Sequence, residues 1–307
     1  MNNELNHSKS DVWSEWLLHR RHGGDPKHEL SIFKSICGIA DRVLDFAQLS
    51  EGKTLVDIGA GEGLIAFRAI ERIGPSLNVI LTDISAPMLS HAETIYAERE
   101  FKNKCTFLNC PADSLQGIED NSVDVVITRS VLAYVADKKA AMREFYRVLK
   151  PGGRISIAEP IVRDDAFKLH ALKKWIDEHP ANENIRLMQL VHKWKSAQYP
   201  DTLEKITDCP ITNYSERDLF NIAYEGKFSE IHLELHLDSS SQTSISWEVY
   251  IECAPHPLAP SLSRILAENF SLEDRIFFEN SMRPILEAGQ LVGIDRMAYL
   301  TATKPTT

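Results

Sequence analysis

One segment constrains this chain more than any other. Thr54-Leu55-Val56-Asp57-Ile58-Gly59-Ala60-Gly61-Glu62-Gly63 is an apolar strand that ends in an acid and runs straight into three glycines at alternate positions. Glycine lacks a Cβ, so the main chain can turn sharply there and a bulky ligand can approach the backbone. A helical pattern starts at about Leu64, with Ile65, Ala66, Phe67, Ala69, Ile70 and Ile73 on its apolar stripe. Strand, glycine turn and helix in that order form the first crevice of a doubly wound sheet, where such folds take their ligands.

Further strand signals follow in register with that reading. Asn78–Thr82 ends in Asp83, which falls 20 residues after Gly63, a spacing that fits a carboxylate accepting hydrogen bonds from ribose hydroxyls. Ser85 then caps a helix with Pro87 in its first turn. Cys105–Asn109 is a third strand and Val123–Thr128 a fourth, leading into Arg129-Ser130-Val131-Leu132-Ala133-Tyr134. A helix over Lys138–Leu149 meets Lys150-Pro151-Gly152-Gly153, where proline and glycine force a turn into a fifth strand, Arg154–Pro160.

Two ligand classes compete for the glycine turn. Dinucleotide enzymes use G-x-G-x-x-G with a pyrophosphate on the helix N-terminus. Here the spacing is G-x-G-x-G, the sixth position is Leu64, and two acids, Asp57 and Glu62, would repel a pyrophosphate and suit a cationic ligand. The segment Val56–Gly63 resembles motif I of the class I S-adenosylmethionine-dependent methyltransferases, and Val148-Leu149-Lys150-Pro151-Gly152-Gly153-Arg154 is similar to the same family. The resemblance covers residues 45–160 well. It implies S-adenosylmethionine as cofactor, held by Asp57, Gly59, Ala60, Gly61, Gly63, Asp83, Ile84, Met88, Ala112, Asp113, Arg129 and Ser130. Asp83 takes the ribose, Ile84 packs on the adenine, and Asp113 lies near the adenine amino group. After the fourth strand family members often carry paired histidines; Ala133-Tyr134 stands there instead, which leaves the catalytic role open.

Composition narrows the acceptor. A net charge of −10 argues against DNA or bulk RNA, whose binding draws much of its affinity from phosphate neutralisation. The five cysteines at 37, 105, 110, 209 and 253 form no C-x-x-C, so neither zinc nor a disulfide framework is indicated, no metal is expected, and an arsenite methyltransferase is disfavoured. No run of eighteen apolar residues exists and the N-terminus shows no apolar signal segment, which points to a reduced cytoplasmic setting.

The expected fold is α/β: a Rossmann-like, seven-stranded, mostly parallel sheet with helices on both faces, plus a helical cap built from the N-terminus and two insertions. The division is an N-terminal helical lid over 1–48, a cofactor-binding core over 49–160, a helical cap insertion over 161–213, a core continuation with helix and sixth strand over 214–243, a helical insertion over 244–293, and the seventh strand and tail over 294–307. In the lid, Val12, Trp13, Trp16, Leu17 and Leu18 recur at near-helical spacing, and a second helix spans Ser31–Ala47. Gly23-Gly24-Asp25-Pro26 breaks the chain between them. The sixth strand is Glu230–Leu237, the seventh Met297–Thr303, and Ser239–Thr243 reads as an exposed loop.

Methyl transfer from a sulfonium is an in-line displacement, so the protein mainly aligns the reactants and excludes water. An oxygen or nitrogen nucleophile can also need a base. His22, Tyr134 and Glu159 are the catalytic candidates, with His170 and His256 behind them; Trp13, Trp16, Arg20, Arg21 and His170 are the substrate-binding candidates. The leading reading is a methyltransferase for a small molecule or peptide in bacterial specialised metabolism, at oxygen (a carboxylate included) ahead of carbon or nitrogen. It carries no nucleic-acid or membrane partner and allows a homodimer. A non-catalytic cofactor-binding protein and a nicotinamide dehydrogenase are the readings it has to beat.

Overall fold

The computed structural model describes residues 10–179, 183–241 and 244–306. Residues 1–9 of the expected lid lie outside them. The chain opens with a short helix α1 (Val12–Glu15) that widens into a π-helical turn, Trp16–Arg20, and continues as α2 (Pro26–Ala47). Asp25 caps α2 by accepting the His28 N–H at 2.7 Å, and Pro26 sits where a helix does not need its N–H. This helix therefore starts five residues before the expected Ser31.

Five strands and three α-helices follow: β1 (Thr54–Ile58), α3 (Leu64–Ile73), β2 (Asn78–Asp83), α4 (Ala86–Glu98), β3 (Cys105–Asn109), β4 (Val123–Arg129), α5 (Lys138–Val148) and β5 (Leu149–Pro160). After β5 come α6 (Arg163–Asp177), α7 (Glu183–Ser196), α8 (Leu203–Asp208), α9 (Glu216–Glu225) and β6 (Ser229–Ser241). The last elements are α10 (Trp247–Glu252), α11 (Leu262–Asn269), α12 (Leu272–Glu287) and β7 (Val292–Thr303). The sheet order is β3-β2-β1-β4-β5-β7-β6, with β7 antiparallel to both neighbours and the rest parallel. Strand order reverses at β1, so the crevice beyond the carboxyl ends of β1 and β4 is where a ligand fits.

Neighbouring residues along a strand face opposite ways, and the core follows that period. Leu55, Val125 and Ile127 pack with Val43, Leu44, Ile65 and Phe67 on one face, while Val56, Val126, Ile155 and Ile157 pack with Met142, Phe145 and Leu219 on the other. A third apolar cluster belongs to neither face: Leu190 and Trp194 of α7 pack with Trp247 of α10, Leu262 and Ile265 of α11, and Phe278 and Met282 of α12. The two insertions thus share one core above the sheet.

The structure corrects the sequence reading at the β6–β7 pair. Both strands run longer than expected, and Ser239 to Ser241 are strand, paired with Ile294 to Val292. Polar composition does not prevent pairing when a partner strand supplies every main-chain hydrogen bond. Gln242 and Thr243 of that tract lie outside the described residues. Helices α8 and α10, short at six residues each, were not expected.

Candidate active site

The glycine turn is held by the two strand-end acids. The Gly61 N–H donates to Asp83 Oδ2 at 2.8 Å, and the Ser85 N–H donates to Asp83 Oδ1 at 2.8 Å. The Ala66 N–H donates to Asp57 Oδ2 at 3.1 Å, and the Ala60 N–H to the Thr82 carbonyl at 2.9 Å. Gly59 has φ +63°, and a Cβ there would collide with the Val131 side chain. Position 59 thus requires glycine on both backbone and steric grounds.

Around this turn lies a cavity of about 430 Å³ whose polar lining includes Asp57, Glu62, Asp83, Asp113 and Arg129. Burial pushes the Asp57 carboxyl up to about 7, against the pull of the Ala66 N–H and of Arg129. Burial raises Asp83 as well, opposed by its two main-chain donors. The Arg129 guanidinium is lowered by burial and by the facing Arg21, and steadied by Glu62, Asp57 and Glu159. An acid-rich chamber with one cation suits a ligand that carries positive charge and one negative group.

The apolar part of the lining comes from distant parts of the chain and includes Trp13, Trp16, Tyr134, Pro160, Pro255 and Pro257. Trp13 meets Tyr134 edge to face at 5.1 Å. The N-terminal segment is latched onto the segment after α10. Trp16 Nε1 donates to the Ala254 carbonyl at 2.8 Å, the Ala254 N–H to the Arg20 carbonyl at 2.8 Å, and the Arg20 guanidinium to the carbonyls of Pro257 and Ala259 at 2.9 Å each. The π-helical turn makes this possible: its wider i→i+5 spacing, closed by Arg21 N–H to Trp16 O at 2.8 Å, sends Trp16 and Leu17 to the cavity and Arg20 to the latch. Gly23 completes the contact, since a Cβ there would lie 2.5 Å from the Val249 carbonyl oxygen.

Most of the residues singled out from the sequence converge on this cavity. Asp57, Gly59, Ala60, Gly61, Asp83, Ile84, Ala112, Asp113, Arg129, Ser130, Trp13, Trp16 and Tyr134 all line it. Gly63 caps α3 at φ +80°, and Met88 is fully buried beneath the turn, so neither lines the cavity. Four candidates are placed elsewhere. Glu159 is fully buried and accepts from the main-chain N–H groups of Val131, Leu132 and Ala133 at 2.9–3.0 Å, so it anchors the loop after β4. His22 is buried, with Nε2 donating to the Leu18 carbonyl at 2.9 Å. Arg20 is consumed by the latch. His170 lies in a shallow groove with Lys173 and Asp177 and is bonded through Nδ1 to the Asp201 carbonyl. Arg21 stands just behind the cavity, 3.8 Å from Glu62, with its Nε buried and without a partner among the described residues. Pro255 and Pro257 carry no local signal in the sequence that ties them to an N-terminal segment more than 230 residues earlier.

Fold and site together define a class I S-adenosylmethionine-dependent methyltransferase architecture. Residues 49–208 match the model of a methyltransferase-domain family, and the chain belongs to that family. Over 167 residues it is 38% identical to the ubiquinone/menaquinone biosynthesis C-methyltransferase UbiE of Stenotrophomonas maltophilia, covering 46% of this chain and 66% of that protein. Over 116 residues it is 34% identical to an arsenite methyltransferase of Halobacterium salinarum, covering 38% of this chain and 29% of that one. The chain thus spans less than two thirds of each relative. The fold is shared with the YcgJ protein of Bacillus subtilis, at a TM-score of 0.53 and 18% identity over 87% of this chain and 97% of that one. The described residues include no group of three or more histidine, cysteine or acidic side chains placed to hold a metal, and no helix long and apolar enough to cross a membrane.

Proposed function

We propose that the protein transfers a methyl group from S-adenosylmethionine to a small, largely apolar acceptor. The donor supplies an already activated methyl on a sulfonium, and the residues present fit it. Asp57 and Glu62 face its two positive centres, Arg129 with Arg21 behind it takes its carboxylate, and Asp83 takes the ribose. Ile84, 58% exposed at the rim, offers an apolar face to the adenine beside Ala112 and Asp113. The lid closes the apolar part of the cavity, so water is kept from the displacement.

The observation that carries the acceptor class is the apolar part of the cavity lining, which includes two tryptophans, a tyrosine and four prolines, in a cavity lined by no lysine or histidine. Burial holds the Tyr134 phenol well above its ordinary value, so it orients an acceptor and does not abstract a proton. A nucleophile that needs a strong base is poorly served, and a carboxylate target loses Arg20, one of the two arginines expected to hold it. Transfer to an activated carbon therefore ranks with transfer to an enolic or phenolic oxygen, and the UbiE relative, a C-methyltransferase, supports carbon. Specialised metabolism, a cytoplasmic setting and a homodimer remain part of the proposal as read from the sequence.

The test is thermal and calorimetric. S-adenosylhomocysteine is expected to raise the melting temperature and NAD to leave it unchanged. Asp83→Ala is expected to weaken S-adenosylhomocysteine binding by about 10-fold or more, since each charge-assisted hydrogen bond contributes on the order of 1.5–3 kcal/mol. No uptake of S-adenosylhomocysteine by the wild-type protein would remove the proposal.

A further inference from the structure

The loop after β4 holds a strained residue at the cavity. Ser130 lies in the left-handed region, at φ +56°, where a residue with a side chain is seldom found. It lines the cavity, as do Val131, Tyr134, Val135 and Ala136 after it. No hydrogen bond reaches the Ser130 carbonyl oxygen or hydroxyl from any of the described residues. Backbone strain of this kind persists only where the surroundings over-determine it.

The end of β5 supplies that determination. The Glu159 side chain is fully buried; its Oε1 accepts the N–H groups of Val131 at 2.9 Å and Leu132 at 3.0 Å, and its Oε2 accepts that of Ala133 at 3.0 Å. The Ser130 N–H donates to the Ala158 carbonyl at 2.8 Å. Four consecutive N–H groups thus point at two residues of β5. Burial pushes the Glu159 carboxyl up, and the three N–H groups and Lys138 oppose it. Both oxygens act as acceptors, which is what an ionised carboxylate offers.

The direction of the Ser130 carbonyl follows from this. A trans peptide is planar, so the Ser130 C=O runs antiparallel to the Val131 N–H. That N–H is aimed at Glu159, which is not part of the cavity lining, so the carbonyl is aimed the opposite way, on a residue that is. The rest of the loop is fixed at both ends. Val131 fills the space that a Gly59 Cβ would need, and Tyr134 meets Trp13 edge to face at 5.1 Å. The loop therefore joins the glycine turn, proposed for the donor, to aromatic rings proposed for the acceptor. A carbonyl oxygen presented there carries partial negative charge, and a C–H or N–H on a cationic centre suits it.

We propose that the main-chain carbonyl of Ser130 recognises the donor's positively charged, methyl-bearing centre, and that Glu159 is the positioning residue that aims it. The inference rests on the methyl-transfer reading and deepens it. S-adenosylmethionine and S-adenosylhomocysteine differ in charge only at the sulfur, so a carbonyl at that point favours the cationic donor over its neutral product. The serine hydroxyl has no part in this, because the recognising atom belongs to the main chain.

The experiment compares sinefungin with S-adenosylhomocysteine by calorimetry on the full chain. Sinefungin carries an ammonium on carbon where the donor carries its methyl on sulfur, and S-adenosylhomocysteine carries neither. The wild-type protein is expected to bind sinefungin about 10-fold or more tightly, the scale of a hydrogen bond to a charged group. Glu159→Gln keeps the side-chain shape but turns an amide N–H towards the Ala133 N–H. It is expected to remove most of that preference while affinity for S-adenosylhomocysteine stays within a few-fold, whereas a merely structural loss would weaken both ligands alike. Ser130→Gly accepts the positive φ and retains the carbonyl, so it is expected to keep the preference. If Glu159→Gln does not fold, Glu159→Asp, which keeps the charge but falls short of the loop, reads the same ratio. Equal binding of the two ligands by the wild-type protein, a ratio unchanged in the Glu159 variant, or its loss in Ser130→Gly overturns the inference and leaves methyl transfer standing. Failure of the wild-type protein to bind S-adenosylhomocysteine is a separate outcome and removes the methyl-transfer reading with it.

Discussion

The cofactor half of the molecule and its cap solve the same problem by different means. Between β1 and β5 the binding surface is mostly main chain: glycines that must stay bare, and acids at strand ends that fix the turn through N–H groups. In the cap the surface is side chains brought together by contacts that span most of the chain, such as Trp16 to Ala254. The glycine turn therefore tolerates little substitution on backbone and steric grounds, whereas the contacts made by Trp16 and Arg20 depend on side chains meeting a distant segment.

The largest effect should come from breaking the main-chain side. Gly59→Ala forces a β-carbon into Val131 at a positive φ, a strain of about 1–3 kcal/mol before the steric collision is counted. Calorimetry should show S-adenosylhomocysteine binding weakened by at least about 100-fold, roughly 2.7 kcal/mol. Binding within a few-fold of wild type would mean that the turn is not the donor site.

An intermediate effect tests the electrostatics of the same half. Asp57 is held near 7, so in the free protein it is partly protonated at neutral pH. A bound cation favours the ionised form, so the bound value lies lower. Above pH 7 both states are ionised and affinity for S-adenosylmethionine is full; as pH falls through 7, affinity is lost. Calorimetry in buffers of different ionisation enthalpy should register proton release on binding between about pH 6 and 7, and Asp57→Asn should abolish it. The folded chain holds this proton to higher pH than the unfolded chain does, so the stability contributed by the neutral form is lost as pH rises from about 4 towards 7.

The smallest effect should come from the cap. Arg20→Met removes two charge-assisted hydrogen bonds to the carbonyls of Pro257 and Ala259 but leaves the Trp16 bond to Ala254 in place. Unfolding free energy should fall by roughly 1–3 kcal/mol. The donor-product complex should dissociate about 10-fold faster in stopped-flow tryptophan fluorescence, because most affinity changes at one interface appear in the off-rate. An unchanged off-rate would show that the N-terminal segment is not a lid.

What the sequence discloses follows the same division. The glycine turn, Asp83 and the helix start at Ser85 are local patterns, and each lies where a short window places it. Glu159 shows the limit. At the end of β5 it has the position of a catalytic acid, but three N–H groups from the loop after β4 consume both oxygens, and those donors are 26 to 28 residues away. Arg20 fails for the same reason at longer range. A cluster of basic residues reads as an anion site until the carbonyls that absorb it are seen. The start of α2 is a different case: Asp25-Pro26 is a cap and first turn, although in the sequence the pair reads as a break.

The latch also bears on the order in which the protein matures. Residues 254–259 leave the ribosome more than 230 residues after the tryptophan and arginine they secure. The early strands can pair and the glycine turn can form while synthesis continues, since domains tend to fold as they emerge. The chamber cannot be sealed until the strap arrives, and β7, which wedges between β5 and β6, comes later still. A nascent chain halted after β6 would own the glycine turn but neither the strap that meets Trp16 and Arg20 nor a finished sheet.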